Sequence, residues 1–334
     1  MSSEIYLCSI SFLVNTFHLT VLSQKSMRIS STNVMMIGIA VCDLYSVIEP
    51  VIRTVKTKIE LFQVCPLPDT YTEALFMWIL HSISDDTRRC QCLLGIFLAL
   101  IRTLVIRKPK VESDLTAPKF GWKLTVSVFS FSSMLSIFYT TLSKLRSDDF
   151  DPARAKCPEG MFPENFTIKY YYLSGSKLAE WNDAIVGKVY FLVDGVVSKI
   201  APSILFPFFT ILLIRELRKI TEKRNQMVSN QSAAVSSRTT KLIIYMTIAF
   251  MVAQLPAGII YIRQGLCNDF ACRYYTANYI FGTSLLLPIT SMFHFPINFF
   301  ISHQYRDTTY RILRIKIKTA PTIVVSASGT SQNG

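Results

Sequence analysis

The chain has 334 residues, of which half are apolar and 17% charged, against the ~25% charged residues of an ordinary soluble domain. Its 35 Lys and Arg outnumber its 22 Asp and Glu, for a formal charge of +13. Such a composition excludes a typical soluble globular domain, and with no nucleic-acid-binding motif beside the charge it also speaks against nucleic acid as a partner.

Seven apolar stretches succeed one another, at Ile5 to Leu22, Val34 to Ile52, Leu75 to Ile106, Trp122 to Leu142, Val189 to Ile214, Leu242 to Ile262 and Asn278 to Ile301. Each is close to the ~20 residues that a spanning helix needs. The expected fold is an all-α membrane protein, a seven-transmembrane helix bundle with a short amphipathic helix after the last span. Residues 1–318 then form one polytopic domain, and the small, polar residues 319–334 a disordered cytoplasmic tail. The first span is short and carries Asn15, Thr16 and His18. It has no basic region before it and no small-residue cleavage site after it, so it is expected to be an anchor truncated at its start, with no signal peptide.

The loops sort by charge. Those after spans one, three and five, together with the tail, hold eighteen bases against five acids, whereas the opposite face holds twelve of each. The basic face is therefore expected in the cytoplasm, against anionic membrane lipid, and the amino terminus outside the plasma membrane.

Cys8, Cys42, Cys90 and Cys92 fall within spans and read as small buried packing residues, while Cys65, Cys157, Cys267 and Cys272 fall in the outer loops. Four outer cysteines allow three connectivities, of which Cys65 with Cys157 and Cys267 with Cys272 are expected. The long outer loop after span four carries the glycosylation acceptor Asn165-Phe166-Thr167. The β-branched and aromatic run Phe166 to Tyr172 in the same loop reads as a strand or hairpin over the bundle mouth, serving as both lid and ligand wall.

Ionisable groups inside spans are costly and mark function or pairing. They are Asp43, Glu49, Asp85, Asp86 and Asp194, with Arg88, Arg89, Arg102, Lys123 and Lys199. Asp85, Asp86, Arg88 and Arg89 lie within one and a half turns of span three, spaced so that Asp85 meets Arg88 and Arg89. Two readings stand open: a self-neutralised helix end, or a charged pocket wall that re-pairs with a polar ligand. The ligand-facing set is expected to be Asp85, Arg88, Arg89, Asp194, Lys199 and Gln254. Pro202, Pro207, Pro256, Pro288 and Pro296 each remove a backbone donor within a span, so spans five to seven are built to bend. The basic run Arg215 to Arg224, with Arg218 and Lys219, continues span five as a helix that a cytoplasmic partner can read. After span seven, residues 305–318 are basic with Tyr310, Leu313 and Ile317 at helical spacing, as in a helix on the inner leaflet, while the alternation from Ile315 to Lys318 also fits a strand.

Asn15, Ala40 to Asp43, Leu100-Ile101-Arg102, Pro202, Pro256, Phe295-Pro296-Ile297-Asn298-Phe299 and Tyr305-Arg306 together resemble rhodopsin-class G protein-coupled receptors. More narrowly, Ser23 to Ser31, Asp85 to Arg89, Leu94-Gly95, Ala99 to Arg102, Pro202 to Pro207 and Gln304-Tyr305-Arg306 resemble the nematode serpentine receptors of class W, over most of the chain. The resemblance implies a peptide-like or other chemosensory ligand, a heterotrimeric G protein as partner, no cofactor, and activation through Asp43, Arg102, Pro256, Pro296, Arg218 and Lys219. The chain also departs from the wider class. Ile101 replaces the acid before Arg102, so the resting lock must differ or weaken; Gln254 replaces an aromatic, and Phe295 and Phe299 replace an asparagine and a tyrosine. Asp43 is a candidate sodium ligand with Ser291 and Gln91.

Two other classes fit less well. His18, His81, His294 and His303 show no paired metal-ligand spacing for a membrane enzyme. A transporter would carry an internal repeat with matched broken helices, and none is visible.

Overall fold

The computed structural model describes residues 3–107, 112–150, 157–158, 161–163, 166–225, 231–267, 272, 279 and 286–315. Asn165, residues 280–285 of the expected seventh span and the tail from residue 316 onward lie outside the described residues. The described chain is mostly helical. It runs through α1 (Ser3–Leu22), α2 (Ser31–Phe62), α3 (Tyr71–Arg107), the short α4 (Glu112–Thr116) and α5 (Pro118–Thr141). An antiparallel hairpin follows, β1 (Ser143–Phe150) with β2 (Ile168–Gly175), then α6 (Lys177–Asp194), a π-helical turn (Gly195–Ile200), α7 (Ala201–Asn225) and α8 (Gln231–Leu266). The chain closes with α9 (Leu286–Ser291), α10 (His294–Ile301) and α11 (His303–Ile312). Among the described residues, five helices are long and apolar enough to cross a membrane: Ile5–Leu22, Ser31–Phe62, Tyr71–Arg107, Pro118–Thr141 and the continuous Lys177–Lys219. For brevity, the end bearing β1 and β2 is called the hairpin end, and the end bearing Arg107, Arg215 and Arg311 the basic end.

Local chemistry sets the helix starts. Ser30 caps α2, its hydroxyl accepting from the Asn33 backbone N–H at 3.3 Å. Thr70 and Glu73 form a reciprocal capping box: the Thr70 N–H donates to Glu73 Oε2 at 2.9 Å, and the Glu73 N–H to Thr70 Oγ1 at 3.4 Å. The Thr70 hydroxyl also donates to Glu73 Oε2 at 2.8 Å, and the two bonds that the carboxylate accepts from Thr70, backbone first, hold it below its usual range.

Prolines explain the irregularities. Pro202 lacks the N–H that the Ser198 carbonyl would accept, and the turn just before it widens to π geometry, with the Ala201 N–H bonding the Val196 carbonyl. Pro296 likewise leaves the Met292 carbonyl without its helical donor, and the helix breaks at Met292–Phe293 between α9 and α10. The expected seventh span is thus two short helices in its described part. The helix expected after the last span is also shorter than expected among the described residues. It stops at Ile312, and Arg314 takes a left-handed φ of 54°.

α3 is the axis of the bundle and packs on α2, α5 and α7. Met35, Cys42, Cys90, Leu94 and Val128 form one buried cluster between α2, α3 and α5. Val21, Leu22, Met27, Met36 and Tyr305 form another at the basic end, where the buried Tyr305 hydroxyl meets His18 Nδ1 at 2.7 Å and fastens α11 to α1. All four cysteines expected in the spans are buried and lie outside the two disulfides. Lipid is as apolar as a core side chain, so helices in it associate through close packing at small residues. Gly121 of α5 is such a point, since a Cβ there would stand 2.7 Å from both the Cα and the carbonyl oxygen of Ser31.

Candidate functional site

The two strands pair in register from Ser143 opposite Gly175 to Phe150 opposite Ile168. The hairpin lies over the bundle, and β2 is held down where the Tyr171 N–H donates to the Asp69 carbonyl at 3.3 Å. Disulfides join Cys65 to Cys157 and Cys267 to Cys272. The first ties the loop before α3 to the connection between the strands, so the lid is fixed at both its edges.

Beneath the lid is a cavity of about 580 Å³, roofed by Leu145, Tyr171 and Leu173 and floored by His81, Asp85 and Tyr261. Asp85 is 6% exposed. It accepts from the Tyr261 hydroxyl at 3.2 and 3.3 Å and stands 3.9 Å from Arg88. Two further buried groups of the lining have no hydrogen-bond partner among the described residues: the Trp78 indole N–H on α3, a donor, and Gln264 Oε1 on α8, an acceptor. Buried polar groups are nearly always satisfied, so each is a group that a guest could complete.

The charged cluster on α3 pairs only in part within its own helix, through Asp85 and Arg88, and otherwise with neighbouring helices. Arg88 reaches Glu49 on α2 at 3.4 Å, and Glu49 is also bonded by Arg53 and lies 3.4 Å from His81 Nδ1. Arg89 turns the other way, to Asp194 on α6 at 3.1 Å and the Tyr190 hydroxyl at 3.0 Å, with Ser136 as a further partner. Lys199 stands 3.6 Å from Asp194 and 4.0 Å from the centre of the Tyr261 ring. The expected Asp85–Arg89 contact gives way to this interhelical pairing because Arg89 points into the α5–α6 side of the bundle. The ion pairs thus form two clusters, Glu49–Arg88–Asp85 between α2 and α3 and Arg89–Asp194–Lys199 between α3 and the end of α6, and Tyr261 of α8 touches both, through its hydroxyl to Asp85 and its ring to Lys199.

Of the six residues expected to face a ligand, Asp85 lines this cavity; Arg88, Arg89, Asp194 and Lys199 lie behind the wall as a supporting layer. Gln254 lines a second, smaller cavity of about 120 Å³ deeper in the bundle, together with His18, Gln91, Arg102 and His294. There the nearest polar contact of Arg102 is Met36 Sδ at 3.9 Å, in keeping with an arginine that has no acidic neighbour in sequence. Asp43, the candidate sodium ligand, has both its oxygens engaged. One of its oxygens accepts from Gln91 Nε2 at 2.7 Å, and the other lies 2.6 Å from His294 Nδ1, while Ser291 is engaged by Ser11 at 3.0 Å and Asn15 at 2.9 Å. The imidazole therefore stands where a cation would have to approach. Pro256 and Pro296 lie inside α8 and α10. Arg218 and Lys219 are on the α7 extension at the basic end, where Lys219 and Arg107 both pair with Glu216 at 3.5 and 3.0 Å.

Sequence reasoning passed over Trp78, Tyr261 and Gln264. A signal existed: Trp78, His81 and Asp85 follow the i, i+3, i+7 spacing of one helical face, and Tyr261 and Gln264 the i, i+3 spacing of another.

The chain is similar to a protein of Caenorhabditis elegans described as G-protein coupled receptor dmsr-1, with 22% identity over 305 residues that cover 80% of this chain. It spans 58% of that relative's length. Residues 2–316 match the family described as serpentine type 7TM GPCR chemoreceptor Srw. With nearly its whole length matched, and with long apolar helices around a lidded cavity, the chain belongs to the Srw serpentine family of seven-transmembrane G protein-coupled chemoreceptors.

Proposed function

We propose that this receptor stands in the plasma membrane with its hairpin end outside, takes a peptide-like ligand with a cationic group in the lidded cavity, and signals to a heterotrimeric G protein at its basic end. The observation that carries the ligand class is that the Trp78 N–H on α3 and the Gln264 oxygen on α8, both lining the cavity, are buried without a hydrogen-bond partner among the described residues, a donor and an acceptor such as a peptide carbonyl and amide could meet. Asp85 supplies the negative charge beside them, and the tyrosines and Trp78 supply aromatic surface for a cation or an apolar side chain. A ligand cation that takes over Asp85 displaces the Tyr261 hydroxyl. Tyr261 is five residues from Pro256 on α8, so its release bears on the helix whose backbone is already missing a donor. At the other end, Arg102 in the deep cavity and Arg218 and Lys219 on α7 offer positive charge to an intracellular partner.

The test is a screen of synthetic peptides, with and without arginine or lysine, on cells expressing the receptor, followed by Trp78→Phe and Gln264→Leu. Losing one hydrogen bond of this kind should lower the potency of active peptides about tenfold. Potency untouched by both variants would remove the peptide backbone from the site. Agonist affinity that ignores guanine nucleotide would remove the G protein.

A further inference from the structure

The deep cavity holds a positive charge that the chain itself does not answer. Arg102 lines it from α3, and its one polar contact is Met36 Sδ at 3.9 Å. Among the described residues no carboxylate meets the guanidinium. Of the five acids on the basic side, Glu216 is held by Arg107 and Lys219, Asp307 lies 2.7 Å from His303, Asp114 and Glu222 are exposed, and Glu112 begins the short α4. Asp43 is engaged by Gln91 and His294. Residues 108–111, 223–243 and 316–334 contain no Asp or Glu at all.

A charge among apolar walls is costly unless it is paired, and the walls here include Ile39, Leu98, Phe206, Phe250 and Ile297. A second donor stands at the same level. Thr103 Oγ1 lies 3.4 Å from the Phe209 carbonyl, which brings the Arg102 turn of α3 level with Thr210 of α7. Thr210 lines the cavity and is 4% exposed; its hydroxyl accepts from Thr247 at 3.2 Å and keeps its own proton to give. Arg107, at the basic end, follows Arg102 by about 7.5 Å of helix, so a small ion has a short way in. One guanidinium balances one negative charge. A divalent phosphate or sulfate would leave a charge over among the apolar walls, whereas chloride is monovalent, small and weakly hydrated.

We propose that the deep cavity is a chloride site, in which the ion accepts hydrogen bonds from the Arg102 guanidinium and the Thr210 hydroxyl and stands in for the carboxylate that the chain does not supply. Its occupancy needs neither an agonist nor a G protein, so it is separable from the signalling proposed above.

The test is the thermal midpoint of the purified, intact receptor as sodium chloride replaces sodium gluconate at constant ionic strength. With chloride at about 150 mM the wild-type midpoint should rise by about 2–4 °C, the shift that mass action gives at a several-fold excess over Kd. Arg102→Gln removes the charge and should leave the midpoint indifferent to chloride. Met36→Glu puts a carboxylate where Sδ now touches the guanidinium; it should abolish the chloride shift and raise the midpoint in gluconate. Thr210→Val, which keeps the size of the side chain, should weaken the shift. A wild-type midpoint that ignores chloride overturns the proposal. So does a chloride rise that persists undiminished in any of the three variants that folds, since that is a general effect of the salt on the bundle.

Discussion

At the scale of single residues, the bundle is organised around carboxylates and the groups that answer them. Arg89 and Asp194 are both essentially buried, so removing one partner strands the other. Breaking such a pair costs about 3–5 kcal/mol, while replacing both sides with apolar groups is often neutral. Arg89→Leu should therefore lower the melting temperature of the purified receptor sharply, and Arg89→Leu with Asp194→Leu should recover at least half of the loss. Asp43 yields a different expectation. Both its oxygens are engaged by Gln91 and His294, so exchanging sodium for choline at constant ionic strength should leave the thermal midpoint unchanged; a sodium-dependent rise would show that the imidazole gives way to the ion. The buried acids and bases themselves were legible in the sequence because charge in an apolar run stands out. Of their partners, only Arg88 for Asp85 was legible, from its i, i+3 spacing; the interhelical ones were not. Asp194 is 105 positions from Arg89, and nothing local distinguishes it from Glu49 or Asp85 as the residue that Arg89 meets.

At the scale of elements, the lid and the close helix contacts carry the testable consequences. Cys157→Ser releases the connection between the strands from the loop before α3, and hydrogen exchange over residues 143–150 and 168–175 should speed up while the core of α3 keeps its protection. Thr70→Ala should cost α3 about 1 kcal/mol of capping. The capping box also depends on pH: the folded carboxyl of Glu73 is held below its unfolded value, so its contribution is complete above that unfolded value, near 4.3, and fades as pH falls through the folded one. Gly121→Val puts a side chain against the Ser31 backbone and should separate α2 from α5, visible as poor folding yield. Half of the hairpin was readable, since Ile168 to Tyr172 is β-branched and aromatic. β1 was not, because Ser143 to Phe150 is polar and charged and becomes a strand by pairing with β2. The π turn before Pro202 was foreshadowed only by the proline itself.

At the scale of the whole molecule, the structure joins a lidded cavity at one end to a basic surface at the other through α3 and the proline-bearing α8. Asp85 is the hinge of that description, because it is the one charged group on the cavity floor that is tied by Tyr261 to α8. The most direct measurement is the potency of matched peptides on Asp85→Asn at equal surface expression, one peptide bearing lysine and its analogue bearing norleucine. Loss of a desolvated charge pair predicts a fall of about thirtyfold or more for the lysine peptide, with the norleucine analogue shifted only slightly. An equal loss for both, tracking only expression, would contradict the account and make Asp85 a structural member of the ion-pair network.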